Sequence, residues 1–210
     1  DLVTFCYIRQ KKALGLGHAV LTAKRVVGGD PFAVLLGDDI IDAGEPALRQ
    51  MMNVYRRYPA TILAIQKVPR SQTQHYGIID GRRIENGVYL VKDLVEKPAP
   101  EHAPSNLAII GRYILAPGIF EALEHTKPGK GGEIQLTDGL KLLMAKRPIY
   151  AYEFEGTRYD AGDKLGFLKA TVEFGMKNPE FGAEFRRQYR SQRVGRNIQR
   201  EQCDELDARP

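Results

Sequence analysis

The sequence predicts an α/β fold with a mixed, mainly parallel sheet that carries an antiparallel hairpin. Two observations predict it. Short apolar runs alternate with segments of helical spacing as far as Val68, which is typical of parallel strands joined by helices. After Pro69, strand-like runs follow one another with turn residues instead of a helix between them, which indicates a hairpin.

The elements follow from apolar spacing, taken in chain order. Continuous or alternating apolar runs predict strands at residues 2–8, 32–36, 61–68, 76–80, 89–96, 107–115 and 149–154. Apolar residues at helical spacing predict helices at residues 18–27, 46–58, 117–125, 133–145 and 164–177. Turn signals stand at Asp80-Gly81 and Asn86-Gly87, and the 127–132 loop is rich in Gly and Lys.

The composition excludes several classes of protein. With 43% apolar and 27% charged residues, the 210-residue chain is no collagen, mucin-like stalk or fully disordered protein. It contains neither a membrane-length apolar run nor a signal-peptide pattern at its start. Its two cysteines, Cys6 and Cys203, suit a reducing compartment. We therefore expect a cytoplasmic protein without a membrane partner.

The net charge of +5 is unevenly distributed, and the first 182 residues carry only +3 of it. Residues 183–200 hold six Arg against Glu184, and residues 201–210 carry a net charge of −3. We predict a domain at 1–182 and a charged tail at 183–210 that ends a helix and then frays. An anion-binding arm is the alternative for the tail, but we expect no nucleic-acid partner.

The first candidate site is the tip of the predicted strand 32–36. Gly37 is followed by two carboxylates, Asp38 and Asp39, at the edge where open α/β sheets bind ligands. Such an Asp has room for a metal ion and a phosphate. The alternative is a plain turn with a capping Asp. If the strand continues, the two side chains point in opposite directions, so only one serves the site.

A basic loop, RQKKALGLGH at residues 9–18, joins a strand to a helix, which is where phosphate-binding loops lie. It lacks the complete dinucleotide-binding and P-loop motifs. Gly15 and Gly17 either serve a ligand or merely permit a tight turn. His18 is interpreted as a helix-start or packing residue.

Two further spots combine carboxylates with a cation or a helix start. Glu96 and Lys97 lie at the end of a predicted strand. Glu can accept hydrogen bonds from sugar hydroxyls and Lys can bind phosphate. The alternative interpretation is a plain exposed ion pair. Asp160 is either a metal ligand or a helix cap, and Asp163 stands where a cap belongs. The sequence has no His/Cys cluster for zinc and no hydrolase elbow.

Seven segments, in this order, resemble the bacterial UTP–glucose-1-phosphate uridylyltransferases (UDP-glucose pyrophosphorylases). They are RQKKALGLGHAV (9–20), FAVLLGDD (32–39), HYGII (75–79), VEKP (95–98), IIGRYIL (109–115), GGEIQLTDGL (131–140) and RYDAGDKLGFLKA (158–170). The resemblance runs from about residue 3 to about residue 187. It implies the Rossmann-like nucleotide-diphospho-sugar transferase fold.

For the nucleotide, the resemblance implies that Gln10 reads the uracil edge and that Gly15 lets the base lie against the backbone. It also implies a Mg²⁺ cofactor on Asp38 and Asp160. Gln can both donate and accept hydrogen bonds, as uracil requires, and two carboxylates suit a hard cation that neutralises phosphate oxygens.

For the sugar, the resemblance implies that Gly77, Glu96 and Gly111 hold the glucose hydroxyls and that Lys97 binds the sugar phosphate. Lys97 and Asp38 are then the catalytic residues. The implied reaction is attack by the phosphate of glucose 1-phosphate on the α-phosphorus of UTP, which gives UDP-glucose and pyrophosphate. Such transfers need mainly positioning and charge stabilisation.

One feature of the family is missing. Members begin with a first strand and a Gly-rich loop, roughly G-x-G-x-R, which cradles the triphosphate, and nothing like it precedes Asp1. We therefore expect an N-terminally truncated fold, with little or no UDP-glucose synthesis by residues 1–210 alone. The alternatives are a sister nucleotidyltransferase that uses dTTP or CTP and a non-catalytic UDP-sugar-binding fragment. The family also implies a homo-oligomer.

Overall fold

The computed structural model describes residues 3–189. The chain divides into two compact units, with the boundary between Arg158 and Tyr159. The sequence-based boundary at residue 182 stays a prediction, and the tail from residue 190 onward, with Cys203, lies outside the described residues. No helix among the described residues is long and apolar enough to cross a membrane.

The chain forms eight strands and six α-helices within the described residues. The strands are β1 (Phe32–Leu35), β2 (Asp39–Asp42), β3 (Thr61–Lys67), β4 (Gly77–Glu85), β5 (Val88–Glu96), β6 (Leu107–Leu115), β7 (Ile149–Glu153) and β8 (Thr157–Asp160). The helices are α1 (Leu16–Thr22), α2 (Lys24–Val27), α3 (Ala47–Arg57), α4 (Gly118–Glu124), α5 (Leu136–Met144) and α6 (Lys164–Lys177). Short 3₁₀ turns lie at Arg70–His75 and Lys130–Gly132.

The first unit is built on a six-stranded sheet of order β1-β6-β3-β7-β5-β4. Strands β1, β3, β4 and β7 run in one direction, and β5 and β6 run against them. The predicted mixed sheet with an antiparallel hairpin is therefore confirmed. Within this sheet of the described residues, only β3 and β7 are parallel neighbours, because the antiparallel strand β6 lies between β1 and β3.

Apolar side chains of the sheet bury on both faces. One core joins Leu63 and Ile65 of β3 to α1, α4 and α5, through residues such as Leu123 and Leu140. The other core joins Ile62 and Ala64, the alternate residues of β3, to α3. Because β3 is apolar on both faces, it can lie at the centre of this three-layer arrangement.

The strand predicted at residues 2–8 is wrong for its described part. Residues 3–8 have no regular secondary structure, and Val3, Phe5 and Tyr7 are 63%, 75% and 93% exposed. A β-strand needs a hydrogen-bonded neighbour, which apolar composition alone does not supply. The strand predicted at 32–36 does form, as β1, but it is an antiparallel edge strand whose residues are alternately half-buried and exposed.

The hairpin β4–β5 is confirmed, and one turn signal inside it is reassigned. Asn86 and Gly87 form the two-residue connection, with Gly87 at φ +70°, which favours glycine. Asp80-Gly81 is no turn: the β4–β5 register shifts there, so this pair forms an irregularity within the strand. Strands β2 and β8 were not predicted, because four polar-rich residues give too short a period-two pattern.

The second unit contains α6, which begins where the sequence predicted. The Asp163 carboxylate accepts the backbone N–H of Gly166 at 2.9 Å. This is the side-chain cap that stabilises a helix start, so the predicted capping role of Asp163 is confirmed.

Two leucines of α5 offer a matched test of this core. Leu140 is fully buried, whereas Leu142 is 44% exposed. We expect Leu140→Ala to lower the free energy of unfolding by about 2–5 kcal/mol, because it removes buried apolar contacts and leaves a cavity. Leu142→Ala on the same helix should cost less than about 1 kcal/mol. Urea denaturation followed by circular dichroism measures both, and equal losses would contradict the assigned core.

Candidate functional site

The open end of the β4–β5 hairpin brings a glycine and a carboxylate together. Gly77 pairs with Glu96 in the strand register. A Cβ at Gly77 would lie 3.0 Å from Thr137 Oγ1 and 3.3 Å from Glu96 Oε2. The hydroxyl of Thr137 donates to Glu96 Oε2 at 2.6 Å, so one carboxylate oxygen is fixed by α5. Glycine at 77 is thus required by close approach, and Glu96 is held in one orientation.

Lys97 leaves the hairpin in an unusual backbone conformation. Its φ of +44° is the only positive value among non-glycine residues that the structure describes. Its backbone N–H donates to the Tyr76 carbonyl at 3.0 Å. Its Nζ lies 3.7 Å from Glu96 Oε1, with the lysine side chain 56% exposed. The predicted ion pair exists, but at this distance and exposure it contributes little stability and leaves the ammonium available.

Asp39 is the buried centre of a second group of contacts. Its carboxylate accepts the Gly111 N–H at 2.6 Å and forms an ion pair with Arg158. A Cβ at Gly111 would lie 2.7 Å from the Leu36 Cβ, so only glycine fits there. The Gly111 carbonyl in turn accepts from the Leu36 N–H and from Arg112. Asp39 is therefore engaged by other residues of the protein, which leaves Asp38 as the exposed carboxylate of the pair.

Arg158 connects Asp39 to the start of β4. Its Nη1 donates to the Tyr76 hydroxyl at 3.1 Å, and its guanidinium carbon lies 5.3 Å from the Tyr76 ring centroid. Burial opposes the charged form of Arg158, but the charge of Asp39 and the bonds to Asp39 and Tyr76 outweigh it, so its pKa is raised. Burial, and then the charges of Glu96 and Asp39, raise the pKa of Tyr113. The charges of Glu96 and Asp39 therefore both reach the hydroxyl of Tyr113 in β6.

Asp38 presents a free carboxylate beside this buried group. It lies exposed in the turn between β1 and β2, and no hydrogen bond or ion pair to it is found among residues 3–189. Burial lowers the pKa of Arg112, while Asp39 and Asp38 oppose this shift. Unengaged carboxylate oxygens at a strand tip fit a Mg²⁺ ion, which takes one or two carboxylates together with substrate phosphates.

Asp160, the other predicted metal ligand, belongs to the second unit. It is half-buried, and its Oδ1 accepts the Gly162 N–H at 3.1 Å. Among the residues that the structure describes, no group of three or more His, Cys, Asp or Glu side chains could hold a metal ion by itself.

The glycine loop, defined as residues 9–18, is hydrogen-bonded to the segment that precedes α5. Gly17 donates its N–H to the Ile134 carbonyl at 2.9 Å, and Ile134 donates to the Leu14 carbonyl at 2.8 Å. Gly15 has a φ of +90°, and a Cβ there would lie 2.9 Å from the Ile134 carbonyl oxygen. Both glycines are thus needed for this close approach, and Gly15 also for its backbone conformation.

The side chain of Gln10 folds back over this loop. Its Nε2 donates to the Gly15 carbonyl at 3.2 Å and lies 2.8 Å from Nδ1 of His18. His18 therefore has a defined contact within the loop and not merely a place at the helix start.

The structure brings most predicted residues into three adjacent groups. Gln10 and Gly15 share the glycine loop, Gly77, Glu96 and Lys97 share the hairpin end, and Gly111 lies on Asp39 beside the Asp38 turn. Residues 134–137 connect the first two groups, because Ile134 binds the loop and Thr137 binds Glu96. Tyr76, next to Gly77, connects the second to the third.

Sequence reasoning missed Thr137, Tyr76 and Arg158. Each lies in a segment that carries the family resemblance, GGEIQLTDGL, HYGII or RYDAGDK. A hydroxyl or guanidinium that contacts a residue far away in the sequence leaves no local sequence pattern, so these contacts could not be predicted.

Two cavities lie away from these three groups. One of about 270 Å³ is lined by Gly44, Glu45, Gln50, Tyr152, Glu155 and Gly156, and one of about 380 Å³ by His125, Thr126, Lys127, Asp138, Lys141 and Leu142.

Comparison with known proteins identifies the family of this chain. The profile of the family described as Nucleotidyl transferase matches residues 2–175. The chain belongs to the nucleotidyl transferase family. A UTP–glucose-1-phosphate uridylyltransferase of Staphylococcus epidermidis is 50% identical over 186 residues, which are 89% of this chain and 65% of the relative. The Bacillus subtilis protein of the same name is 51% identical over 180 residues, which are 86% of this chain and 62% of that protein.

Solved structures of this nucleotidyl transferase family share the fold. A UDP-glucose pyrophosphorylase complexed with UDP-glucose has a TM-score of 0.80 and 48% identity, over 83% of this chain and 67% of that one. A UTP-bound UGPase from Acinetobacter baumannii has a TM-score of 0.79 and 40% identity, over 87% of this chain and 64% of that one. The chain thus spans about two thirds of the length of these relatives.

The two adjacent aspartates offer a test of the buried ion pair. We expect Asp39→Asn to lower the free energy of unfolding by about 3–5 kcal/mol, because it removes the negative charge from a buried ion pair. Asp38→Asn, which changes an exposed carboxylate, should alter it by less than about 0.5 kcal/mol. Guanidinium denaturation of both variants and the unmodified chain measures the difference. Similar values for the two variants would contradict the assignment of Asp39 as the engaged carboxylate.

The backbone of Lys97 offers a second test. Lys97→Gly should be more stable than Lys97→Ala by about 1 kcal/mol, because alanine is strained at positive φ and glycine is not. This order reverses the one found within ordinary strands and helices. Thermal denaturation of the two variants checks it, and a more stable alanine variant would contradict the left-handed conformation.

Proposed function

We propose that the chain carries the sugar-nucleotide site of a UTP–glucose-1-phosphate uridylyltransferase. The observation that carries the proposal is the hairpin end, where a carboxylate fixed by Thr137 stands over Gly77 and beside the exposed ammonium of Lys97. The carboxylate of Glu96 is a fixed hydrogen-bond acceptor, and the ammonium of Lys97 is an exposed cation beside it. Together they suit a ligand that has both hydroxyls and a phosphate. The names and sequences of the relatives support the same function.

In this proposal, Glu96 and the hairpin end hold the sugar. Glu96 accepts hydrogen bonds from glucose hydroxyls through its oxygens, and Gly77 leaves the space that a side chain would fill. Gly111 supports this site by binding Asp39 and by leaving room for Leu36, since its own amide and carbonyl are engaged within the protein. Lys97 binds the phosphate of the sugar and orients it.

The nucleotide lies along the glycine loop in this proposal. Gln10 contacts the edge of the uracil, and Gly15 lets the base approach the backbone. Asp38 and Asp160 would hold a Mg²⁺ ion, which supplies charge neutralisation at the α-phosphate when it is bound. An exposed, unengaged Asp38 beside a buried Asp39 supports this division of roles.

The reaction follows from charge and position. A phosphate oxygen of glucose 1-phosphate attacks the α-phosphorus of UTP, the bond from that phosphorus to the bridging oxygen breaks, and pyrophosphate leaves with the electron pair. Lys97 keeps the attacking phosphate in line and offsets its charge. No side chain has to form a covalent bond, because positioning and electrostatic stabilisation supply the main catalytic contributions in such transfers. A homo-oligomer and a cytoplasmic location stay predictions.

Titration calorimetry with UDP-glucose and Mg²⁺ tests the proposal directly. We expect Glu96→Gln to weaken binding by about 10- to 100-fold, because hydrogen bonds to a charged acceptor contribute about 1.5–3 kcal/mol. Glu101→Gln, which changes an exposed glutamate a few residues away, is the matched control and should bind as the unmodified chain does. Equal affinities of all three proteins, or no binding by any, would contradict the proposal.

A further inference from the structure

The hydrogen bonds of Gln10 determine which end of its amide is free. The Gly15 carbonyl can only accept, so the amide nitrogen of Gln10 must face it, at 3.2 Å. The same nitrogen lies 2.8 Å from Nδ1 of His18. Since an amide nitrogen has no lone pair to offer, Nδ1 must accept, and the imidazole proton lies on Nε2.

This arrangement uses both hydrogens of the Gln10 amide within the protein. One is donated to Gly15 and the other to His18. Among the described residues no donor is found for the Gln10 carbonyl oxygen, Oε1. Gln10 thus offers a ligand an acceptor alone, although an isolated Gln could offer either group.

The bond to His18 is one of the two bonds that keep the amide from turning over, and it is the shorter one. Without it, Gln10 could leave the single bond to Gly15 and offer Nε2 outward. The loop itself is held by the Gly17–Ile134 and Ile134–Leu14 bonds, which do not involve His18. A change at His18 is therefore expected to free the amide while the backbone stays in place.

We infer that His18 is a specificity-determining positioning residue, which fixes Gln10 as an acceptor and so selects pyrimidine bases that carry an N3–H. The inference rests on the proposed function, which places the base at Gln10. Uracil and thymine donate from N3, whereas cytosine presents a lone pair there. Two facing acceptors repel each other, so the fixed Oε1 disfavours cytosine and treats uracil and thymine alike.

The test compares UMP, dTMP and CMP binding to the full 210-residue chain and two His18 variants. The unmodified chain should bind UMP and dTMP similarly and CMP about tenfold or more weakly, since about 1.4 kcal/mol corresponds to tenfold. In His18→Leu, which has no acceptor, the preference for UMP over CMP should fall by about tenfold while the UMP-to-dTMP ratio stays constant. His18→Asn, which keeps an acceptor near the Nδ1 position, should restore the preference.

A matched control uses another histidine with a similar contact. Nδ1 of the exposed His125 lies 2.8 Å from the Glu121 carbonyl oxygen, at the end of α4. His125→Leu should leave all three affinities unchanged. A merely structural effect of His18→Leu would weaken the three nucleotides together and leave their ratios constant, which would overturn the inference.

The outcomes separate the inference from the proposed function. If the unmodified chain binds none of the nucleotides, both fail. If it prefers UMP and His18→Leu keeps the same preference, the inference alone fails. Long-range nitrogen–proton NMR of the ligand-free chain gives an independent reading of His18: unprotonated Nδ1 supports the inference, and a proton on Nδ1 overturns it.

Discussion

The ion pair between Asp39 and Arg158 is the contact on which the candidate site depends most. It is buried at the point where β1 has just ended, and the same carboxylate binds Gly111 of β6. Through Tyr76, Arg158 also reaches the start of β4 and the hairpin end. A buried pair of this kind is costly to break, because either partner left alone is an uncompensated charge. The sheet edge and the exposed Asp38 turn are thereby held in one arrangement.

Glycines and one connecting segment complete the site around this pair. Gly15, Gly77 and Gly111 each stand where a Cβ would meet a neighbouring protein atom at 3.0 Å or less, so the glycines allow these segments to pack closely. Residues 134–137 touch the glycine loop at one end and Glu96 at the other. In the proposed function, a nucleotide and a sugar joined by phosphates would contact both ends of this segment.

Much of this fold follows from apolar patterning, because the burial of β3, β6, α3 and α5 leaves a clear local pattern in the sequence. The strand predicted at 2–8 failed because a strand needs a partner, which residue composition does not supply. The site divides in the same way. Glu96 and Asp38 were found by their positions at strand ends and Gly77 by the family resemblance, whereas Thr137 and Arg158 act through contacts distant in sequence. The orientation of the Gln10 amide depends on two bonds at 2.8 and 3.2 Å, and residue type alone left both ends of it available.

The central claim is that one surface, from the glycine loop to the hairpin end, binds a sugar nucleotide. Backbone amide NMR of the chain titrated with UDP-glucose tests it most directly. The account predicts that the largest changes in amide chemical shift occur at Gly15, Gly77, Lys97 and Ile134. The largest changes at the cavity lined by Lys127 and Lys141, or at the one lined by Glu45 and Glu155, with none at the hairpin end, would contradict it.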